Sequence, residues 1–270
     1  MIRQSIAALT ILTAFAATPA FADAVHDASA FTSNTLAAND DGSTGIVNLG
    51  FSVNFFGQNF DSLFVNNNGN VTFNAPLGTY TPFSLLSTST PMLAPFFADV
   101  DTRGAGSGLV QYGSSNIGGH DVFGVNWLGV GYYSSEVNRT NSFQLIMTDR
   151  SDVAAGDFDF QFNYDSIQWE TGSASGGSNG LGGSSARAGW SNGSSSSFEM
   201  AGSAVNGSLI NGGGNALVSN SLSSNVLGQY NFQVRNGAVT PAVPEPESYA
   251  LMLAGLGLVG AIVRRRKQSV

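Results

Sequence analysis

"GDFDFQFNYDSIQW", residues 156–169, is the stretch whose reading decides the fold. Phe158, Phe160, Phe162 and Tyr164 alternate with Asp157, Asp159, Gln161 and Asn163. A period of two puts the aromatic rings on one face of a strand and the polar side chains on the other. A helix would scatter the same four rings around its surface. Ile167 and Trp169 then fall on odd numbers, so a turn or bulge is expected at Asp165-Ser166.

The same alternation continues upstream. In "FSVNFFGQNFDSLFVNNNGNVTF" (51–73), segments 62–66 and 70–74 read as a hairpin around the turn chemistry of Asn and Gly. Pro76, Pro82, Pro91 and Pro95 punctuate an irregular crossing segment that ends in "MLAPFFADVDTRG" (92–104). "GLVQYG" (108–113) reads as a strand, "DVFGVNWLGVGYYS" (121–134) as one long strand or two short ones, and 141–149 alternates again. Downstream, the glycine- and serine-rich run 171–197 contains Leu181, Ala186, Ala188 and Trp190, so it reads as a loop with a packed strand at 186–191. Further strands are expected at 198–200 and 226–234. Between 23 and 243 nothing sustains a 3.6-residue period. The expectation is an all-β, two-sheet β-sandwich-like domain.

Composition supports this. Charged residues are 10% of the chain, against a usual ~25%, and Gly, Ser, Asn and Thr take their place. There is no cysteine, which excludes disulfides and thiolate metal sites.

The two ends read as export signals. Arg3, the apolar run 6–17 and the Ala20-Phe21-Ala22 cleavage pattern form a secretory signal, with the mature chain expected to start near Asp23. At the other end, Pro244-Glu245-Pro246 leads into 15 apolar residues (249–263), and Arg264, Arg265, Arg266 and Lys267 follow. A bilayer-spanning helix wants ~20 residues, but terminal basic side chains snorkel and hold a short one with its end inside. The expected architecture is a signal peptide (1–22) with its helix, a polar lead-in (23–49), the β-domain (50–237), a linker with the Pro-Glu-Pro motif (238–246) and a short C-terminal transmembrane and basic tail (247–270). Between 23 and 243, five arginines face 16 carboxylates (18 in the chain, less Glu245 and Glu247), a net charge of about −11 with no lysine. Such a surface disfavours nucleic acid and anionic lipid and suits divalent cations.

The tail resembles the PEP-CTERM sorting signal of Gram-negative bacteria that make exopolysaccharide. The resemblance implies export by the secretion machinery, a transient membrane anchor, and cleavage near Pro244–Pro246 by an exosortase. The prolines keep that site extended and outside the helix. The body resembles a nidogen-like (NIDO) domain, through 55–73, 91–113, 141–152, 167–190 and the closing "SNVLGQYNFQVRNG" (224–237). That resemblance implies an extracellular module of matrix and adhesion proteins, without enzymatic activity. The chain departs from the animal versions in having no cysteines and no flanking EGF-like or mucin modules.

Candidate chemistry is sparse. Asp99 and Asp101 in "ADVDTRG", and Asp149 and Asp157 in "DRSDVAAGDFD", are the candidate Ca²⁺ ligands. The competing readings are ion pairing with Arg103 for the first group and solvated turn and strand faces for the second. Trp127, Trp169 and Trp190 are candidates for glycan stacking if exposed, and core residues if not. Asp99, Asp101 and Glu170 could be imagined as a glycosidase pair, though no spacing requires it. There is no G-x-S-x-G elbow and no P-loop lysine. The expected function is therefore a non-enzymatic surface or biofilm-matrix protein with an adhesion-type domain. The alternatives are a carbohydrate-binding module of the exopolysaccharide matrix and, behind it, a polysaccharide hydrolase.

Overall fold

The computed structural model describes residues 23–241. These form thirteen strands: β1 (Asn34–Thr35), β2 (Val47–Phe55), β3 (Gln58–Asn66), β4 (Asn70–Thr72), β5 (Pro91–Phe97), β6 (Val110–Ile117), β7 (His120–Tyr132), β8 (Glu136–Asp149), β9 (Phe158–Ser166), β10 (Arg187–Asn192), β11 (Ser197–Glu199), β12 (Gln229–Arg235) and β13 (Ala238–Pro241). Short 3₁₀ turns at Ala28–Phe31, Ser173–Ser175 and Leu217–Ser219 are the helical content of the described residues. The strands make two antiparallel sheets, ordered β1-β6-β7-β8-β9-β12-β13 and β11-β10-β5-β4-β3-β2. The expected signal helix and C-terminal membrane helix lie outside the described residues. Within them, no helix is long and apolar enough to cross a membrane.

Strand β9 sits inside the seven-stranded sheet, and its four rings are all buried. Each buried Phe contributes on the order of 2–3 kcal/mol of transfer free energy. The phase slip is a bulge: Ser142 pairs with Ser166 but Phe143 pairs with Tyr164, leaving Asp165 as the extra residue. It turns Ile167 and Trp169 inward, where both are fully buried. Across the sandwich, Phe55 of β2 meets Phe158 at 6.3 Å between centroids. Phe96 of β5 meets Phe143 of β8 at 5.4 Å, and Phe198 of β11 meets Phe232 of β12 at 5.9 Å.

One expectation is corrected. The proline-punctuated segment ends in a regular strand, β5, paired on both sides by β4 and β10. Pro95 is tolerated because the register with β10 jumps from Phe97–Arg187 to Ala94–Gly189, so the proline falls in a bulge that needs no N–H from it. Its carbonyl accepts the Tyr164 hydroxyl at 2.6 Å.

The polar lead-in is built into the body. It supplies β1 and the start of β2, and Phe31 is fully buried against Val122 and Ile146 on the outer face of the seven-stranded sheet. Beside it, the Gln144 amide donates to the His26 carbonyl at 2.9 Å and to Asn126 Oδ1 at 2.9 Å. Asn163 Nδ2 in turn donates to Gln144 Oε1 at 3.0 Å. Asn163 therefore points outward, as its phase requires, and is nonetheless buried.

Candidate functional site

The turn "NNNGN" is a scaffold rather than a solvated loop. Asn66, Asn67, Asn68 and Asn70 are all at most 1% exposed. Asn67 Nδ2 donates to the carbonyls of Asn39 (3.3 Å), Asp40 and Val100 (2.6 Å). Asn68 Nδ2 donates to Asp41 Oδ1 at 2.9 Å and to the Thr79 carbonyl at 3.2 Å, while its Oδ1 accepts the Val100 N–H at 3.0 Å. Gly69 has φ +72°, and a Cβ there would lie 1.8 Å from the Phe96 carbonyl oxygen, so no other residue fits. A single turn thus ties loop 39–41 to the segment leaving β5.

This brings four carboxylates together. Asp101 takes a bidentate clamp from Arg103, Nε to Oδ1 at 2.9 Å and Nη2 to Oδ2 at 2.7 Å, and accepts the backbone N–H groups of Arg103 and Ser135 at 2.9 and 2.8 Å. Arg103 Nη2 also reaches Asp40 Oδ2 at 2.9 Å. Asp99 is 2% exposed, and its Oδ2 has no hydrogen-bond partner. Asp40 Oδ1 is likewise buried and unpartnered. Asp40, Asp41 and Asp99 each offer an oxygen within 4.8 Å of the others. They line a pocket of about 160 Å³ together with Tyr80, Tyr133 and Ala174. Gly172 closes over Asp99: a Cβ there would lie 2.2 Å from Asp99 Oδ2.

The charges in the pocket are only partly compensated. Burial, then the neighbouring charges of Asp40 and Asp41, push the Asp99 carboxyl up to about 7. Burial, then Asp101 and Asp41, push Asp40 up to about 6, although Arg103 opposes the rise. Burial also opposes the charge on Asp101, but the Arg103 and Ser135 hydrogen bonds hold that carboxyl below its usual range. Four carboxylates thus share one guanidinium.

Residues 61–236 match the family described as the nidogen-like domain. The chain belongs to the nidogen-like (NIDO) domain family. Residues 242–267 match the PEP-CTERM protein-sorting motif and lie outside the described residues. Among relatives, alpha-tectorin of Mus musculus is 31% identical over 227 residues, covering 75% of this chain and 10% of its own length. Alpha-tectorin of Gallus gallus is 28% identical over 228 residues, with the same two coverages. Nidogen of Drosophila melanogaster is 28% identical over 131 residues, covering 40% of this chain and 10% of its own length. The chain spans about a tenth of the length of these curated relatives. No solved structure matches it. The NIDO domain and the sorting motif together mark an exported, exosortase-sorted protein of the cell surface or extracellular space.

The NIDO domain distributes the other candidate residues differently from the sequence expectation. Asp99 and Asp101 do not share a site, because Arg103 takes Asp101 while Asp99 turns to Asp40 and Asp41. The β8–β9 hairpin does bring Asp149 and Asp157 into neighbouring positions, with the Arg150 N–H donating to the Asp157 carbonyl at 2.9 Å. Their carboxylates are nonetheless satisfied separately: Asp149 by Ser151, Asp157 by the Asn236 N–H at 2.8 Å. Trp127 and Trp169 are fully buried and Trp190 is 8% exposed, so all three belong to the core and present no face for sugar stacking. Their rings sit between the sheets because burying so large an apolar area outweighs any surface role. Glu170 is fully buried and accepts the N–H groups of Gly207 (2.6 Å) and Leu209 (2.7 Å), which clamps it to loop 200–216. Sequence reasoning missed Asp40 and Asp41. The signal was present in "NDDGSTG" (39–45), but only the asparagine turn brings it to Asp99.

Proposed function

We propose that this is a non-enzymatic surface or matrix protein, whose NIDO domain works in adhesion or assembly of the extracellular matrix and whose tail is cleaved by an exosortase. The observation that carries this reading is the juxtaposition of a NIDO domain (61–236) and a PEP-CTERM motif (242–267) in one chain. The extracellular context of nidogen-like domains supports it, as does the clamped Glu170, which removes one of the carboxylates a glycosidase pair would need. The partners of this reading are the secretion machinery and an exosortase, the membrane before processing, and matrix polysaccharide or matrix proteins afterwards.

A carbohydrate-binding reading keeps one favourable observation. Tyr133 lines both the acidic pocket and an adjoining hollow of about 240 Å³ formed with Tyr132, Glu136, Asn138, Ser173, Gly177 and Asn179, and Tyr80 at the pocket rim is 40% exposed. A pull-down with the secreted protein on matrix polysaccharide and on matrix protein separates the two. Retention on protein but not on polysaccharide supports assembly, and the reverse supports glycan binding. Mass spectrometry of the same material is expected to end near Pro244–Pro246. Recovery of intact 264–270 on the mature surface form would remove the sorting part of the proposal.

A further inference from the structure

We propose that Asp40, Asp41 and Asp99 form a Ca²⁺ site that joins the lead-in loop to the end of β5. Its decisive feature is Asp99, a carboxylate that is 2% exposed, lines the pocket and, among the described residues, leaves Oδ2 without any partner. Buried polar atoms are normally satisfied, and an unpaired buried charge is among the costliest arrangements a fold can hold. Among the described residues, the one cation nearby does not satisfy it, because Arg103 spends its fork on Asp101 and its remaining contact on Asp40.

The donor set selects the ion. All the side-chain donors are carboxylate oxygens, which suit a hard cation, and among the described residues no nitrogen or sulfur ligand joins them to favour zinc or copper. Ca²⁺ binds oxygens at 2.3–2.6 Å, so donors on opposite sides of the ion stand roughly 4.6–5.2 Å apart. The three carboxylates each bring an oxygen within 4.8 Å of the others, close enough to bind one such ion together. Mg²⁺ requires a tighter octahedron, with opposite donors about 4.1 Å apart. The pocket, about 160 Å³, is below the ~300 Å³ expected of an organic-ligand site and has room for an ion with its remaining waters. The asparagine turn preorganises the ligands, since Asn67 holds the Asp40 carbonyl and Asn68 holds Asp41 Oδ1 at 2.9 Å.

The test uses the exported protein, stripped of metal with a chelator and then titrated with CaCl₂ while its unfolding temperature is read. At Ca²⁺ about 100-fold above Kd, the unfolding temperature is expected to rise by roughly 5–10 °C. Mg²⁺ at the same concentration should give a clearly smaller rise. Asp99→Asn is expected to abolish the Ca²⁺ response, while Asp149→Asn keeps it. Should Asp99→Asn fail to fold, Asp41→Asn carries the same test. Tb³⁺ provides a second readout: emission excited through Tyr80 and Tyr133 should appear, fall on adding Ca²⁺ and weaken in Tyr80→Leu. A folded wild type with no Ca²⁺ shift and no Tb³⁺ emission overturns the site. A full Ca²⁺ response in Asp99→Asn overturns the assignment of Asp99, and an equal Mg²⁺ response overturns the choice of ion.

Discussion

Two acidic clusters in this molecule look alike on paper and behave differently in space. The cluster around the β8–β9 hairpin holds Asp149, Asp152, Asp157 and Asp159. Arg150 pairs with Asp152 at 3.0 Å and with Asp159 at 2.9 Å, Arg235 pairs with Asp159 at 2.7 Å, and backbone donors serve the rest. The cluster between the lead-in and β5 holds Asp40, Asp41, Asp99 and Asp101, with Arg103 as its one cation among the described residues. The first is closed by its own arginines and half-open to water, with the Asp152 side chain 49% exposed. In the second, Asp99 and Asp101 are buried, Asp40 and Asp41 are half-buried, and positive charge is short. The ratio of guanidinium groups to carboxylates, combined with burial, decides which cluster calls for an ion.

The sharpest way to break this contrast is to remove Arg103 from the second cluster. Arg103→Ala leaves the fully buried Asp101 carboxylate without its fork, with only the backbone N–H groups of residue 103 and Ser135 left to it, and is expected to give the largest drop in the urea unfolding midpoint of the changes named here, measured in chelator. An unchanged midpoint would show that Asp101 is satisfied without Arg103.

The next test is pH. In the metal-free folded state Asp99 binds its proton up to about 7 and Asp40 up to about 6, whereas the unfolded chain releases both near 3.8. The folded state therefore holds more protons across that interval, and metal-free stability should fall as pH rises from about 4 to 7. Asp99→Asn should flatten the fall and raise stability at pH 8 by on the order of 1 kcal/mol, with no gain at pH 4. An unchanged pH profile in Asp99→Asn would mean that another group titrates.

The smallest effect belongs to the neutralised cluster. Arg150→Ala should cost about 0.5–1 kcal/mol, because its partners are part-exposed and Arg235 still serves Asp159. A loss as large as that of Arg103→Ala would erase the distinction.

Alternation in "GDFDFQFNYDSIQW" sufficed to place the aromatic face, and the odd-numbered Ile167 and Trp169 sufficed to locate the bulge at Asp165, because a strand's period of two is local geometry. The proline run concealed β5, since the register jump that accommodates Pro95 is made by β10, roughly 90 residues later. The tryptophans were ambiguous for a similar reason: a strand has two faces, and only the opposing sheet says which is inside.

The site divides along the same line. By itself the sequence determined the class of protein, the β-period, the acidic charge and the presence of Asp99 beside Asp101 and Arg103. The tertiary structure alone decided that Asp101 belongs to Arg103, that Asp99 belongs with Asp40 and Asp41, and that the asparagine turn holds them there. Strand periodicity is written between neighbours along the chain. Pairing of charges is written between loops some 60 residues apart in sequence, and it exists only once the sheets have brought those loops together.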